Sequence, residues 1–510
     1  MVQAQITDAK DPRGAGPLRP HPGRKAHIVH LTAEYWPYIR TGGLGEAVRG
    51  MATFQSRAGS EVSVVLPLYQ PIREGDYGLQ PIGEGFHVQI GPRSEWARLW
   101  EATKGSEGPR VFLLENEQYF SRQGVYGESG SDYPDNHRRF SFFAAAAIEV
   151  LPRIAPDSVV LHMHDWHTAL AIVYLRTMGR GDPYADTAAS VLSVHNGGFQ
   201  GHFPPEILEE IGLPKELYHM DIMEWYGRAN ILKAGLHFTD MASTVSPNHA
   251  FELRTESGGF GLHHTFRGLY DRLVGVLNGI DFRIWDPQQD PHITTQYSLA
   301  TLSGKAECKA ALQKAYGLPE APDRLLIGMV ARMVSQKGMA LILGGSAIRD
   351  ADAQFIFLGN GEPRYEEALR NLALAHPERI AARTDFTEEK EHQIMAGADA
   401  LMMPSLYEPC GLTQMRAQRY GTIPLARRVG GLEDTIEDGT TGLLFDDFHP
   451  SRLDWTIARA VTRYQNSDAW RDMVEHAMIQ DFSWERVVDR YFEVYDRAFD
   501  VRQKALRSGQ

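Results

Sequence analysis

The chain has 510 residues, 43% hydrophobic and 23% charged, with a mean hydropathy of -0.34. That length exceeds what one hydrophobic core organises and predicts two or three domains with a cleft between them. No stretch reaches the roughly eighteen apolar residues of a membrane span, and a formal charge of -13 disfavours non-specific nucleic-acid and anionic-membrane partners.

Residues 1–25 carry Pro and Gly without hydrophobic periodicity and read as a flexible N-terminal tail. They lack the apolar segment of a signal peptide and form no clear transit peptide, so the expected location is the cytoplasm, or the plastid stroma for a plant source. Two cysteines, Cys308 and Cys410, build neither a disulfide framework nor a four-cysteine zinc site, which fits a reducing compartment.

From residue 26, short β-branched runs alternate with amphipathic stretches: HIVHLTAEYW, VSVVLPLY, VFLLENE, VVLHMHDWH, SVLSVHNGG and MASTVSPNH. Runs of this kind, bounded by Gly, Pro, Asn or Asp, predict parallel strands buried on both faces. A second series follows: LVGVLNGID, LLIGMVARM, QFIFLGNGE, ALMMPSLYEP and TIPLARRVGG. The expectation is therefore an α/β protein with two doubly wound parallel-sheet domains, 26–272 and 273–478. In residues 479–510, Ser483 is a candidate N-cap and Val487, Tyr491, Val494 and Ala498 share one helical face. Periodicity alone does not choose which domain this helix covers.

Ligands of open α/β sheets bind beyond the carboxyl ends of the strands, and the unusual polar clusters fall there. YIRTGGLGEAVRG places Arg40, Gly42 and Gly43 in a loop that suits either a tight structural turn or an anion site. HMHDWH offers His162, His164, Asp165 and His167 as metal ligands, as structural strand-end groups, or as partners of sugar hydroxyls. His195 follows the fifth strand beside a Gly pair. Arg332 and Lys337, five apart with Ser335 between them as a candidate N-cap, suit a diphosphate better than a carboxylate. Gly359–Pro363 leaves room for a base or ribose. Glu408 stands at a strand end, and the backbone N–H groups of Gly411, Leu412 and Thr413 open the next helix toward an anion.

Taken together, TGGLGE, HDWH, SVHN, LNGID, SQKG, EPCGLTQ and RRVGGLEDTI…DGTTGLLF resemble the bacterial glycogen synthase and plant starch synthase family, in order from about residue 27 to about 499. The resemblance implies the glycosyltransferase GT-B fold, with two Rossmann-like domains facing a cleft and a C-terminal helix returning to the first. It implies a retaining enzyme without metal or other cofactor, moving glucose from ADP-glucose, less often UDP-glucose, to the non-reducing end of an α-1,4-glucan. Nucleotide sugar and glucan are then the partners; nucleic acid and membrane are not.

By position, Arg332 and Lys337 resemble the pair that neutralises the departing diphosphate, assisted by Thr413. Glu408, Cys410, Gly411 and Leu412 resemble the glucose-binding loop. His195 resembles the histidine at the donor sugar, with Asp165 and Asn278 nearby, and Tyr133 resembles an aromatic on the acceptor side. Arg40 replaces the family's usual lysine, and Gly45-Glu46 its usual Ala-Asp. Arg416 stands eight residues after Glu408, where sucrose-phosphate synthases carry a second glutamate; this favours the glucan synthases. The competing expectations are a related transferase with a small-molecule acceptor, a metallohydrolase using HMHDWH, and an inactive glucan-binding relative.

Overall fold

The computed structural model describes residues 26–128, 130–155, 159–178 and 183–508. The predicted tail lies outside these residues. Seven parallel strands build the first sheet: β1 (His27–Leu31), β2 (Val62–Pro67), β3 (Arg110–Glu115), β4 (Val159–His164), β5 (Ala189–Val194), β6 (Met241–Thr244) and β7 (Leu273–Gly275). Their spatial order is β7-β6-β5-β4-β1-β2-β3, and antiparallel strands extend the edge beyond β3. The buried Val, Ile and Leu of β1, β2, β4 and β5 explain the predominantly apolar runs, since helices cover both faces.

The second sheet contains β8 (Leu325–Val330), β9 (Ala353–Leu358), β10 (Ile380–Arg383), β11 (Ala400–Met403), β12 (Ile423–Arg427) and β13 (Leu443–Phe445). All pairs are parallel, in the order β10-β9-β8-β11-β12-β13. Each sheet therefore reverses its winding once, between β1 and β4 and between β8 and β11. Those reversals open the crevices in which doubly wound sheets bind ligands.

Two local expectations change. LVGVLNGID was expected to open the second series, yet β7 pairs with β6 and closes the edge of the first sheet. A three-residue edge strand carries no mark of the sheet it joins. Ser335 does not cap a helix: Ser335–Lys337 forms a single 3-10 turn, Gly338 follows at φ +79°, and the helix Met339–Gly344 starts after it.

The C-terminal helix, Trp484–Ser508, packs on the first domain, where Trp484, Val488, Tyr491, Tyr495 and Ala498 join its core. Trp484 sits so close to Gly50 of the helix Leu44–Arg57 that a Cβ there would fall 2.0 Å from the indole nitrogen. Glycine is thus required for this contact by close approach.

Candidate active site

A cavity of about 680 Å³ lies where the two crevices face each other. Its first wall comes from the loop after β1, from Asp165 after β4 and from His195 after β5; its second from Arg332 and Lys337 after β8 and Glu408–Thr413 after β11. Of the sequence-predicted site residues, those named by the family resemblance all line this cavity except Tyr133, whereas His162 and His164 of HMHDWH do not. The Tyr133 ring is stacked under the guanidinium groups of Arg122 and Arg139, each 4.7 Å from its centroid. Tyr126, seven residues earlier, lines the cavity in its place.

The glycine-rich loop is tied down from within. The buried Glu34 carboxylate accepts hydrogen bonds from Thr41 N (2.6 Å), Thr41 Oγ1 (2.7 Å), Gly42 N (3.3 Å) and the Tyr126 hydroxyl (2.6 Å). The N–H groups of residues 41 and 42 are therefore spent on an internal anion. Gly43 and the start of the helix Leu44–Arg57 still border the cavity.

Arg40 donates to Glu46, and Glu46 in turn accepts from Arg416 of the other domain. Arg416 donates its other terminal nitrogen to Glu391 (2.8 Å) and lies 4.1 Å over the Trp285 ring. The guanidinium groups of Arg416 and Arg40 hold the Glu46 carboxyl below its ordinary range even though burial acts against them. Two of the residues that depart from the family pattern, Arg40 and Glu46, thus belong to one ion chain that joins the domains. On the opposite side Ser246 Oγ donates to Pro409 O (2.8 Å), and Gly430 N donates to Glu252 (2.8 Å).

Lys337 Nζ donates to Glu408 Oε2 (2.6 Å), which also accepts from Ser405 Oγ (2.9 Å). Arg332 is exposed and, among the described residues, has no carboxylate within ion-pair distance. Gly411 takes φ +71° and turns the chain into the short helix Thr413–Arg419. Cys410 is buried, which pushes its thiol up to about 12, far from a reactive thiolate. Asn278 is buried with its Oδ1 left without a protein partner, an acceptor aimed at whatever enters.

HMHDWH splits where its strand ends: His162 and His164 lie on β4, Asp165 in the turn after it, and His167 in the helix Trp166–Met178. Asp165 turns toward the cavity with φ +58°, where its Oδ1 accepts from His195 N (2.7 Å). Burial raises its carboxyl to about 7, partly countered by the backbone N–H groups of His195 and Asn196. His167 stacks on Tyr126 (4.5 Å between ring centroids). His162 and His164 enter the domain core and meet His30, placed opposite His162 by the β1–β4 register. One ion would be within reach of these three rings, but all six ring nitrogens already have hydrogen-bond partners. The four motif residues are therefore not a ligand set around one point.

Glu34, Tyr126, Glu46, Glu391 and Phe386, whose ring is partly exposed, also line the cavity and are not singled out by the sequence motifs. In the sequence Glu46 stands out only as a departure from a motif. Its charge beside Arg40 was the available signal.

Residues 27–268 match the starch synthase catalytic domain, and residues 314–476 match glycosyl transferases group 1. The glycogen synthase of Anaeromyxobacter dehalogenans (strain 2CP-C) is 40% identical over 474 residues, covering 92% of this chain and 98% of the relative. Glycogen synthase 2 of Geobacter sulfurreducens is 36% identical over 483 residues, covering 93% and 99%. The catalytic domain of starch synthase IV from Arabidopsis thaliana, solved bound to ADP and acarbose, superposes with a TM-score of 0.85 at 32% identity, covering 94% of this chain and all of that one. A sucrose-phosphate synthase from Thermosynechococcus elongatus shares the fold, with a TM-score of 0.60 at 16% identity. Fold, cavity and these likenesses agree: the chain is a glycosyltransferase with the GT-B fold and belongs to the glycogen synthase and starch synthase family.

Proposed function

We propose that this enzyme transfers glucose from ADP-glucose to the non-reducing end of an α-1,4-glucan, with retention and without a metal, in the cytoplasm. The observation that carries the reading is the juxtaposition of Arg332, Lys337 and Glu408 on one wall with His195 and Asp165 on the other. The starch synthase IV structure bound to ADP supports the adenine nucleotide, and the relatives named glycogen synthase support the glucan.

In this mechanism an oxocarbenium-like sugar and a diphosphate separate in the transition state, so preorganised cations and N–H donors supply most of the acceleration. Arg332 and Lys337 take the diphosphate, with Thr413, Gly411 and Leu412 at the phosphate and sugar boundary. Asn278 Oδ1 and His195 accept from sugar hydroxyls. Arg40 supports the phosphate side through its tie to Glu46, and Phe386 offers a flat face to the base. Glu408, whose Oε2 is held by Lys337 and Ser405, serves in this mechanism as a binding group and not as a covalent nucleophile. Attack then proceeds on the face from which the diphosphate leaves.

The test offers radiolabelled ADP-glucose and UDP-glucose in parallel, with glycogen and with small sugar-phosphate acceptors. Label entering glycogen from ADP-glucose is the expected result. Transfer only to the small acceptors, or only from UDP-glucose, overturns the acceptor or the donor assignment. A glycosyl-enzyme trapped on Glu408 overturns the same-face mechanism.

A further inference from the structure

A continuous hydrogen-bonded chain runs from the cavity to the C-terminal helix. His195 Nε2 meets His164 Nδ1 (2.9 Å), His164 Nε2 meets His30 Nδ1 (3.0 Å), and His30 Nε2 meets Gln55 Oε1 (2.7 Å). Gln55 Nε2 donates to the Tyr495 hydroxyl (2.7 Å), which meets His162 Nδ1 (2.8 Å); His162 Nε2 meets Ser193 Oγ (2.7 Å). His30, His162, His164 and Gln55 are fully buried. Gln55 lies on the helix Leu44–Arg57 and Tyr495 on the helix Trp484–Ser508, and neither borders the cavity.

Burial keeps these imidazoles neutral, so each ring has one N–H and one lone pair. Inside the chain both nitrogens of a ring are used, and the donors must therefore all point the same way. With Gln55 Oε1 on His30, His30 donates from Nε2 and accepts at Nδ1. His164 then donates from Nε2 and accepts at Nδ1, and His195 donates from Nε2. Turning the Gln55 amide over would reverse every proton in this series.

We propose that Gln55 and Tyr495 are positioning residues that, through His30 and His164, hold His195 in its Nε2–H tautomer and present its Nδ1 lone pair to the cavity. His195 is thereby an acceptor for a ligand O–H, and its polarity is set about three side chains away, where the C-terminal helix seals the first domain. The identity of that O–H as a sugar hydroxyl rests on the proposed function; the tautomer does not.

The test uses the full chain, selectively labelled with ¹⁵N-histidine, in long-range proton–nitrogen spectra without ligand. The His195 signals are assigned by their loss in His195→Gln. The wild type is expected to show Nε2–H. Gln55→Leu and Tyr495→Phe, which remove or unpin the amide, are expected to show Nδ1–H or a mixture. Gln55→Glu, which as a carboxylate can only accept from His30, is expected to restore Nε2–H. Nδ1–H in the wild type overturns the assigned polarity. The wild-type tautomer persisting in both disrupted variants overturns the relay; should Gln55→Leu not fold, Tyr495→Phe decides alone. In glucose transfer, Tyr495→Phe is expected to lose about tenfold in kcat/KM, the effect of one mispresented hydrogen bond. A wild type that transfers no glucose refutes the functional reading while leaving the spectra to judge the relay.

Discussion

Acidification puts the buried histidines under direct strain. An imidazole free in the unfolded chain titrates near 6.5, whereas burial lowers His30 to about 4 and His167 and His195 to about 3. Below pH 6.5 the unfolded state binds protons that the native state refuses. The stabilisation is therefore complete above pH 6.5 and is lost as the pH falls toward the folded values. Each histidine removes about 1.4 kcal/mol per pH unit across that window. Between pH 6.5 and about pH 5, three of them remove about 6 kcal/mol. Asp165 acts in the opposite sense, since burial raises its carboxyl to about 7 and the native state takes up its proton first. It returns about 2 kcal/mol over the same window. The net loss is about 4 kcal/mol, set against a total of about 5–15 kcal/mol for a domain. His162 and His164, lowered well below 6.5 by burial, push further in the same direction. Urea midpoints followed by tryptophan fluorescence, in steps from about pH 7.5 to about pH 5, read this directly. The midpoint is expected to collapse with acid, and His167→Gln to flatten the slope by one histidine's share. A midpoint constant across the window would refute the claim that these rings are held neutral.

Lys337→Ala, removing the cation 2.6 Å from Glu408, is expected to lower turnover about a hundred- to a thousandfold in a folded protein, and an unchanged kcat removes Lys337 from the mechanism. Glu46→Gln leaves Arg416 with Glu391 alone and aims an amide N–H at one guanidinium. A loss of about 3 kcal/mol is expected, together with clear non-additivity in a cycle with Arg416→Gln; additive effects would mean that the ion chain does not couple the domains. Gly430 has φ +45°, and a Cβ there would lie 2.0 Å from the Glu408 carbonyl oxygen. Gly430→Ala is therefore expected to cost at least about 2 kcal/mol and to raise KM for the nucleotide sugar, and wild-type values for both would show that the loop yields freely.

Much of the fold is legible because strands buried on both faces are dominated by β-branched and other apolar residues, and β1, β2, β4, β5, β8 and β9 all are, with only a few buried polar residues among them. The cavity follows from the strand ends, as polar residues after a buried strand are displayed at the mouth of the sheet. The losses occur where partners are set by tertiary register. His30 meets His162 only because β1 pairs with β4, and Glu46 meets Arg416 across 370 residues. Tyr133 and Tyr126 share one local pattern, and which of them faces the cavity depends on two arginines that stack on Tyr133. Three residues of β7 hold too little sequence to name their sheet.

The electrostatics of the cavity link the two halves of the proposed donor. Three of its cations, Arg40, Lys337 and Arg416, already face a carboxylate, and Arg332 alone among the described lining cations does not. In the proposed reaction a diphosphate finds Arg332 free of a carboxylate and has to compete with Glu408 for Lys337. As Lys337 turns to the phosphate, Glu408 keeps only the Ser405 hydroxyl, and a buried carboxylate short of donors is costly. Sugar hydroxyls are the donors at hand to relieve that cost. On the proposed function, phosphate recognition would thus prepare the sugar site through one ammonium group, and a nucleotide without its sugar would leave Glu408 unsatisfied.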